Sequence, residues 1–351
     1  MGTISFLLVL SVLVFIHELG HFTAARYFGV KVHVFSIGFG KKLYTKMWKG
    51  TQWSISLIPL GGYVKMKGQD DMNPAARNGD SDSYNALNPW RRIVILLAGP
   101  GANFALATVL YFAIALMGSN ALSPTIGKVL DNSPAQKAGL NINDEILKIN
   151  QQPIRTWNDL SKIIKHSNGA MEFIIKRDNK VLRKVIRPHM SDSQNMFREK
   201  IQKMMIGIAP ARKIVVVHYS FSDAFGYAYD KTYESSKMIF LGVQKMIQGI
   251  IPSSEVGGVI TIGKVISDAS QSGIIALFTI MALISVNLGV LNLLPIPALD
   301  GGHIMFNLYE IATRRKPSEK VLIYLTISGW VILAGLMSLG MYNDIVRLIN
   351  N

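Results

Sequence analysis

His17, Glu18 and His21 stand in the order His-Glu-x-x-His within the stretch "LVFIHELGHFTA" (13–24). Residues four apart on a helix share a face, so both imidazoles can reach one metal ion. Glu18 lies beside them, where it can take a proton from metal-activated water. The chemistry these residues offer is metal-assisted hydrolysis. A five-residue pattern of this kind is moderately specific alone, and its setting sharpens it. The aliphatic run Ile4–Ile16 leads straight into it and reads as the start of a membrane helix. Ionisable groups at membrane depth cost about 3 kcal/mol each on insertion scales and persist where they have a task. A polar patch that only glued helices together would need no more than one Asn or Ser.

A catalytic zinc site takes three protein ligands and keeps a fourth position open. The third ligand must come from another segment, and "NLLPIPALDGGH" (292–303) has the right chemistry. Asp300 and His303 lie at the far end of a long apolar stretch, and either could ligate. Asp300 follows a proline-rich, non-helical run whose freed backbone groups require a protein-lined cavity. His33, His166, His189 and His218 fall in loops or in the long insert and read as solvated.

The elements that must position these residues belong in a membrane. Of 351 residues, 49% are hydrophobic and 17% charged, too apolar a balance for a water-soluble domain of this size. Ile93–Gly118, Gly273–Leu299 and Val321–Tyr342 contain no Asp, Glu, Lys or Arg, and each can span about 30 Å of hydrocarbon. Thr3–Phe28 makes a fourth span, broken only by the polar cluster and Arg26. Cysteine is absent, which excludes disulfides and thiolate ligands.

The net charge of +15 reads first as a topology signal. Gly29–Arg92 carries ten Lys/Arg against four acids, and Asp300–Lys320 holds Arg314, Arg315, Lys316 and Lys320. Short basic loops stay cytoplasmic, whereas a segment as long as 119–272 translocates largely regardless of charge. Both termini and the insert are therefore expected outside a bacterial cytoplasmic membrane. No motif supports a nucleic-acid partner.

Within the first loop, "QWSISLIPLGGYVKMKG" (52–68) breaks the helical pattern. Trp53, Ile55 and Leu57 alternate with polar residues, Pro59–Gly62 supplies turn chemistry, and Tyr63, Val64 and Met66 continue as a second strand. The predicted hairpin is too apolar for water, so it is expected to dip into the membrane domain. In the insert, Ser133–Ala138 reads as a capped short helix, Asp144–Asn150 as a strand and Thr156–Ile164 as a helix, with strands in "MEFIIKRD" and "VLRKVIRP". This stretch resembles a bacterial-type PDZ domain over about 65 residues. Asn143 stands where that family has Gly, a position Asn tolerates at positive φ. Such domains bind extended peptides by strand addition. Residues 225–250 are interrupted by Lys231, Lys237 and Lys245, so they fail as a span. They suit an amphipathic helix on the lipid surface or, equally, a soluble core helix.

HELGH on a first span, an LDG motif on a third, a GGY-containing hairpin and a PDZ-like insert together resemble the site-2 protease family of intramembrane zinc metalloproteases. The resemblance covers essentially the whole chain. It implies that His17, His21 and Asp300 hold zinc and that Glu18 is the general base. It also implies that Asn287 and Asn292, in "SVNLGVLNLLP", engage the substrate backbone. "LAGPGANF" (97–104) matches the family's second span, whose small residues allow close helix packing. Two departures stand out. The best-known members carry two tandem PDZ units where this chain has room for one, and the family's Ser-Gly-Pro before the third span reads "VGGV" (256–259) here.

The expected fold is a polytopic α-helical membrane protein of four transmembrane helices, with a membrane-associated β-hairpin and an inserted α/β PDZ-like domain. Its regions are an N-terminal membrane half (1–118), the PDZ-like domain (119–190), an extracytoplasmic linker with the amphipathic helix (191–272) and a C-terminal membrane half (273–351). The expected function is zinc-dependent cleavage of single-span membrane proteins. The hairpin, with Gly62, Tyr63 and Val64, offers an edge on which an unwound segment can pair. A metal transporter would need a polar path, yet the second and fourth spans carry no ionisable residue. A silent PDZ scaffold gives no reason for Glu18.

Overall fold

The computed structural model describes residues 2–69, 80–197 and 199–350; the part of the first basic loop at 70–79 lies outside them. The chain divides into two compact units, one of Met1–Ile114 with Phe225–Asn351 and one of Ala115–Ala224.

The first unit opens with α1 (Gly2–Tyr27), whose buried residues Val9, Leu13, His21 and Ala25 recur at multiples of four and so share one face. Ile4 and Leu8 point outward and stay exposed, as lipid-facing residues do. After α1 come β1 (Val32–Trp48) and β2 (Thr51–Met66). The chain reverses between them at Lys49 and Gly50, with φ of 48° and 78°. Two consecutive positive φ values give a two-residue turn that matches the natural strand twist. A second reversal lies between 55 and 62, because 52–55 runs parallel to Val34–Ile37 and 62–65 antiparallel to them; the predicted change of direction at Pro59–Gly62 is present although β2 is continuous through it. Val34, Phe35, Ser36 and Ile37 each pair on two sides, once with the 52–55 part of β2 and once with its 62–65 part. The predicted small hairpin is thus a broader folded-over ribbon, in which 62–66 lies at an edge.

Helix α2 (Pro89–Met117) carries Pro100 in its interior. Proline has no N–H to give to the carbonyl four residues back, which loosens the turn around Leu96.

The second unit begins with β3 (Ser119–Leu122), β4 (Ile126–Val129) and the short α3 (Pro134–Lys137), capped by the Ser133 side chain accepting from Gln136 N–H. Next come β5 (Glu145–Ile149), β6 (Gln152–Pro153) and α4 (Trp157–Lys165), which starts with a reciprocal Thr156–Asp159 capping box. Then follow β7 (Met171–Arg177), β8 (Lys180–Ile186), β9 (His189–Gln194), β10 (Lys200–Met205), β11 (Ile208–Pro210) and β12 (Ile214–Val217). Strands order as β6-β5-β7-β8 in one sheet, and β4-β11, β3-β12 and β9-β10 form separate pairs. Ile126, Ile146, Ile149, Leu160, Phe173, Ile175 and Ile186 fill the core. Beside it Asp144, fully buried, accepts 2.7 and 2.8 Å bonds from Arg177, which hold the guanidinium pKa up. Asn143 takes φ 70°, the positive value its type tolerates.

The chain continues through α5 (Phe221–Ile247), α6 (Val259–Gln271), α7 (Ile274–Asn292), α8 (Asp300–Thr313) and α9 (Glu319–Asn350). Along α5, Phe225 packs on Phe112, Thr232 Oγ1 lies 3.1 Å from Thr108 Oγ1, and Ser235 Oγ 3.1 Å from Tyr111 OH. One side of the 225–250 helix is therefore taken up by α2. Asp344 of α9 accepts from the N–H groups of Gly258, Ile260 and Thr261, satisfying donors that the start of α6 would leave orphaned. Asn343 donates to the carbonyls of Ser253 and Val256 in the same loop. The connection after Asp300, expected as a short basic turn, contains the fourteen-residue α8.

Among the described residues four helices, α1, α2, α7 and α9, are long and apolar enough to cross a membrane. Val9, Leu13, Ala107, Leu110, Met281, Val286 and Val290 form the core where α1, α2 and α7 meet.

Candidate metal centre

His17 and His21 reach the protein interior because they continue the buried four-residue stripe of α1. Asp300 reaches the same point from α8, after α7 has ended at Asn292 and Pro295 and Pro297 have kept the chain out of helix. Helix α8 is held in place by Glu310, which accepts a 2.8 Å bond from Arg92 at the base of α2.

The three groups converge closely. His17 Nε2 lies 3.2 Å from His21 Nε2, and Asp300 Oδ2 lies 3.4 Å from each of them. Among the described residues this is the group of histidines and carboxylates able to share a metal ion. Asp300 Oδ2 is buried and accepts no hydrogen bond. Donor atoms about 2.0–2.1 Å from a tetrahedral zinc are separated from one another by about 3.3–3.4 Å. The observed edges of 3.2, 3.4 and 3.4 Å lie close to that spacing, and the two imidazoles and one carboxylate are zinc ligand types. The donor set fits zinc.

The imidazoles are also held from behind. His21 Nδ1 lies 2.8 Å from the Ile95 carbonyl, in the turn of α2 that Pro100 loosens. Asn103 Nδ2 lies 3.2 Å from His17 Nδ1. Gly99 faces the His21 ring and lets α1 and α2 approach at this level. Ile95 and Asn103 went unread in the sequence, where only the small residues of "LAGPGANF" drew notice.

Glu18, Gly62, Tyr63, Val64 and Asn292 line one cavity with the triad, together with His303 and Trp330. A β-carbon on Gly62 would stand 3.4 Å from Glu18 Cγ and 2.8 Å from the Ser36 carbonyl oxygen, so only glycine lets the ribbon edge sit this near the glutamate. His303 shares the wall but is outside the His17–His21–Asp300 group. Asn287, half-buried on α7, is not part of that lining.

Apolar spans around a His₂Asp cluster beside a glutamate define a membrane-embedded metallopeptidase. The sequence matches the model of Peptidase family M50 over residues 5–336, and the chain belongs to that family. It is 46% identical to a Campylobacter jejuni protein over 97% of this chain and 92% of the relative. A Helicobacter pylori protein is 40% identical over 97% and 98% of the two chains. Both are named as candidate zinc metalloproteases. Metalloprotease MmpA of Caulobacter vibrioides is 31% identical over 98% of this chain and 95% of its own. The protein is a multi-pass membrane metalloprotease, and zinc is its metal.

Proposed function

We propose that the protein is an intramembrane endopeptidase that cuts transmembrane segments of single-span membrane proteins, as in regulated intramembrane proteolysis. The observation that carries this reading is the 3.2, 3.4 and 3.4 Å triangle of His17, His21 and Asp300 beside Glu18, at the end of a membrane-length helix. His17, His21 and Asp300 are the zinc ligands. Zinc, when bound, supplies Lewis acidity toward a peptide carbonyl and acidifies water. Glu18 takes the proton from the attacking water and passes it to the leaving nitrogen as the C–N bond breaks.

A helical substrate hides its carbonyls in its own hydrogen bonds, so it must unwind to react. The 62–66 edge of the ribbon runs along the same cavity, and an unwound segment adds to it as a strand. Gly62, Tyr63 and Val64 supply that edge, and Asn292 holds freed backbone groups from the opposite wall. Asn287, on the same helix, contacts the segment farther from the cut.

The basic loops favour an orientation in a bacterial cytoplasmic membrane with residues 29–92 inside and the insert outside. We read 119–190 as a PDZ-like domain, supported by its strand and capped-helix pattern, with 191–272 linking it to the C-terminal half. Trp157, Leu160, Ile164, Ile206 and Ile208 line a groove between α4 and the strands after it, suited to an extended peptide. We read this domain as a filter that admits substrates whose outer domains are already trimmed.

The test uses purified protein in lipid nanodiscs with single-span membrane proteins, with and without a chelator. Chelator-sensitive cleavage inside the apolar segment is expected; cleavage confined to soluble tails would overturn the proposal.

A further inference from the structure

Asn103 is fully buried in α2, a membrane-length helix, where an amide is costly to keep. Its carbonyl accepts a 2.8 Å bond from Ser285 Oγ, so α7 clamps α2 at this residue. Its Nδ2 lies 3.2 Å from His17 Nδ1, while its Oδ1 has no partner.

The ring decides what the amide must do. An imidazole that turns a bare Nε2 toward a cation carries its proton on Nδ1 and needs an acceptor there. An NH₂ group cannot accept. Turning the amide about its own axis exchanges two atoms of nearly equal size and brings Oδ1 to His17 Nδ1–H. One amide group stays unpaired in either orientation, so the gain lies on the ring side. His21 already shows the same arrangement, its Nδ1 held 2.8 Å from the Ile95 carbonyl. Ile95 and Asn103 lie about two helical turns apart on α2 and would back the two imidazoles in the same way.

We infer that Asn103 is a positioning residue, whose side-chain oxygen fixes the tautomer and aim of His17 as a metal ligand. This rests on the reading of His17 as a ligand. Its consequence goes beyond that reading: the second span builds the metal site through a residue that never touches the metal.

Two substitutions separate the acceptor from mere packing. Asn103→Leu keeps the shape and removes the acceptor; Asn103→Asp keeps an acceptor at the same place. Affinity is read by competition with a chromophoric chelator, and geometry by the visible bands of the cobalt-substituted protein. Asn103→Leu should lose about 10- to 100-fold in zinc affinity and shift the cobalt bands, as lost ligand-orienting bonds do. Asn103→Asp should bind like the parent. Parental affinity and bands in Asn103→Leu, or an equal loss in both variants, would overturn the inference. If Asn103→Leu does not accumulate folded, Asn103→Ala carries the same comparison. His17→Ala distinguishes the two levels: undiminished metal binding there would refute His17 as a ligand, whereas loss there with none in Asn103→Leu refutes only the role of Asn103.

Discussion

Gly99 of α2 faces the His21 imidazole so closely that a β-carbon on it would stand 2.2 Å from Nε2. The ring cannot simply swing away, because its Nδ1 is held at the Ile95 carbonyl. Gly99→Ala should therefore strain the site itself. Overpacking of this kind costs about 1–3 kcal/mol, which corresponds to roughly a 10- to 100-fold loss in zinc affinity if the strain falls on the ligand. Calorimetric zinc titration of the folded variant measures it. Unchanged affinity would show that the helices yield instead of the ring.

Glu18→Gln separates binding from chemistry. The His17–His21–Asp300 triangle does not include Glu18, so zinc stoichiometry should stay at the parental value while cleavage falls by about 10²–10⁴-fold. Elemental analysis alongside a gel-based cleavage assay reads both. Parental turnover in this variant would remove Glu18 from the mechanism.

Asp300 and His303 can be told apart by the same titration. Asp300→Ala removes an atom 3.4 Å from both imidazole nitrogens and should abolish zinc retention through gel filtration. His303→Ala, outside the triangle, should retain zinc. The opposite pattern would move the third ligand to His303.

The ribbon edge offers a different readout. Gly62→Ala places a methyl group 2.8 Å from the Ser36 carbonyl oxygen and 2.9 Å from Val14, and should push the strand out of place. Zinc binding should survive. Cleavage of a stably helical substrate should drop more than cleavage of one loosened by helix-breaking residues. Equal losses would argue that the ribbon supports the fold without presenting substrate.

In the second unit, Asp144 is fully buried and paired with Arg177. Removing one partner of such a pair strands the other, and Arg177→Leu should cost about 3 kcal/mol. Hydrogen exchange should show it as faster opening of 145–149 and 171–177, with metal content unchanged. Parental protection there would show that water solvates Asp144 once the arginine is gone.

Much of the site was legible because its signals are local. His17, Glu18 and His21 fall within about one helical turn, and three charge-free windows with a fourth apolar stretch around the cluster are hard to mistake. The ribbon was legible in part. Turn-forming residue types at Pro59–Gly62 mark the reversal between 52–55 and 62–65, whereas the tighter turn at Lys49–Gly50, with two positive φ values in a row, is announced by one glycine alone. Helix α8 was hidden behind glycines and basic residues that read as a loop. Asn103 carried almost no signal: one amide in an apolar helix looks like packing until the partner helix places a histidine against it.

The triad takes two of its atoms from the first helix and the third from a segment made much later. On the zinc reading, a chain still being synthesised has HELGH in the bilayer and nothing to complete the coordination. Until Asp300 is made, such a chain would hold two of the three donors and no complete site. Only docking of α8, which Glu310 and Arg92 help to fix, closes the set. On that reading, the order in which its own parts are made would delay the protease's activity until the whole chain is in place.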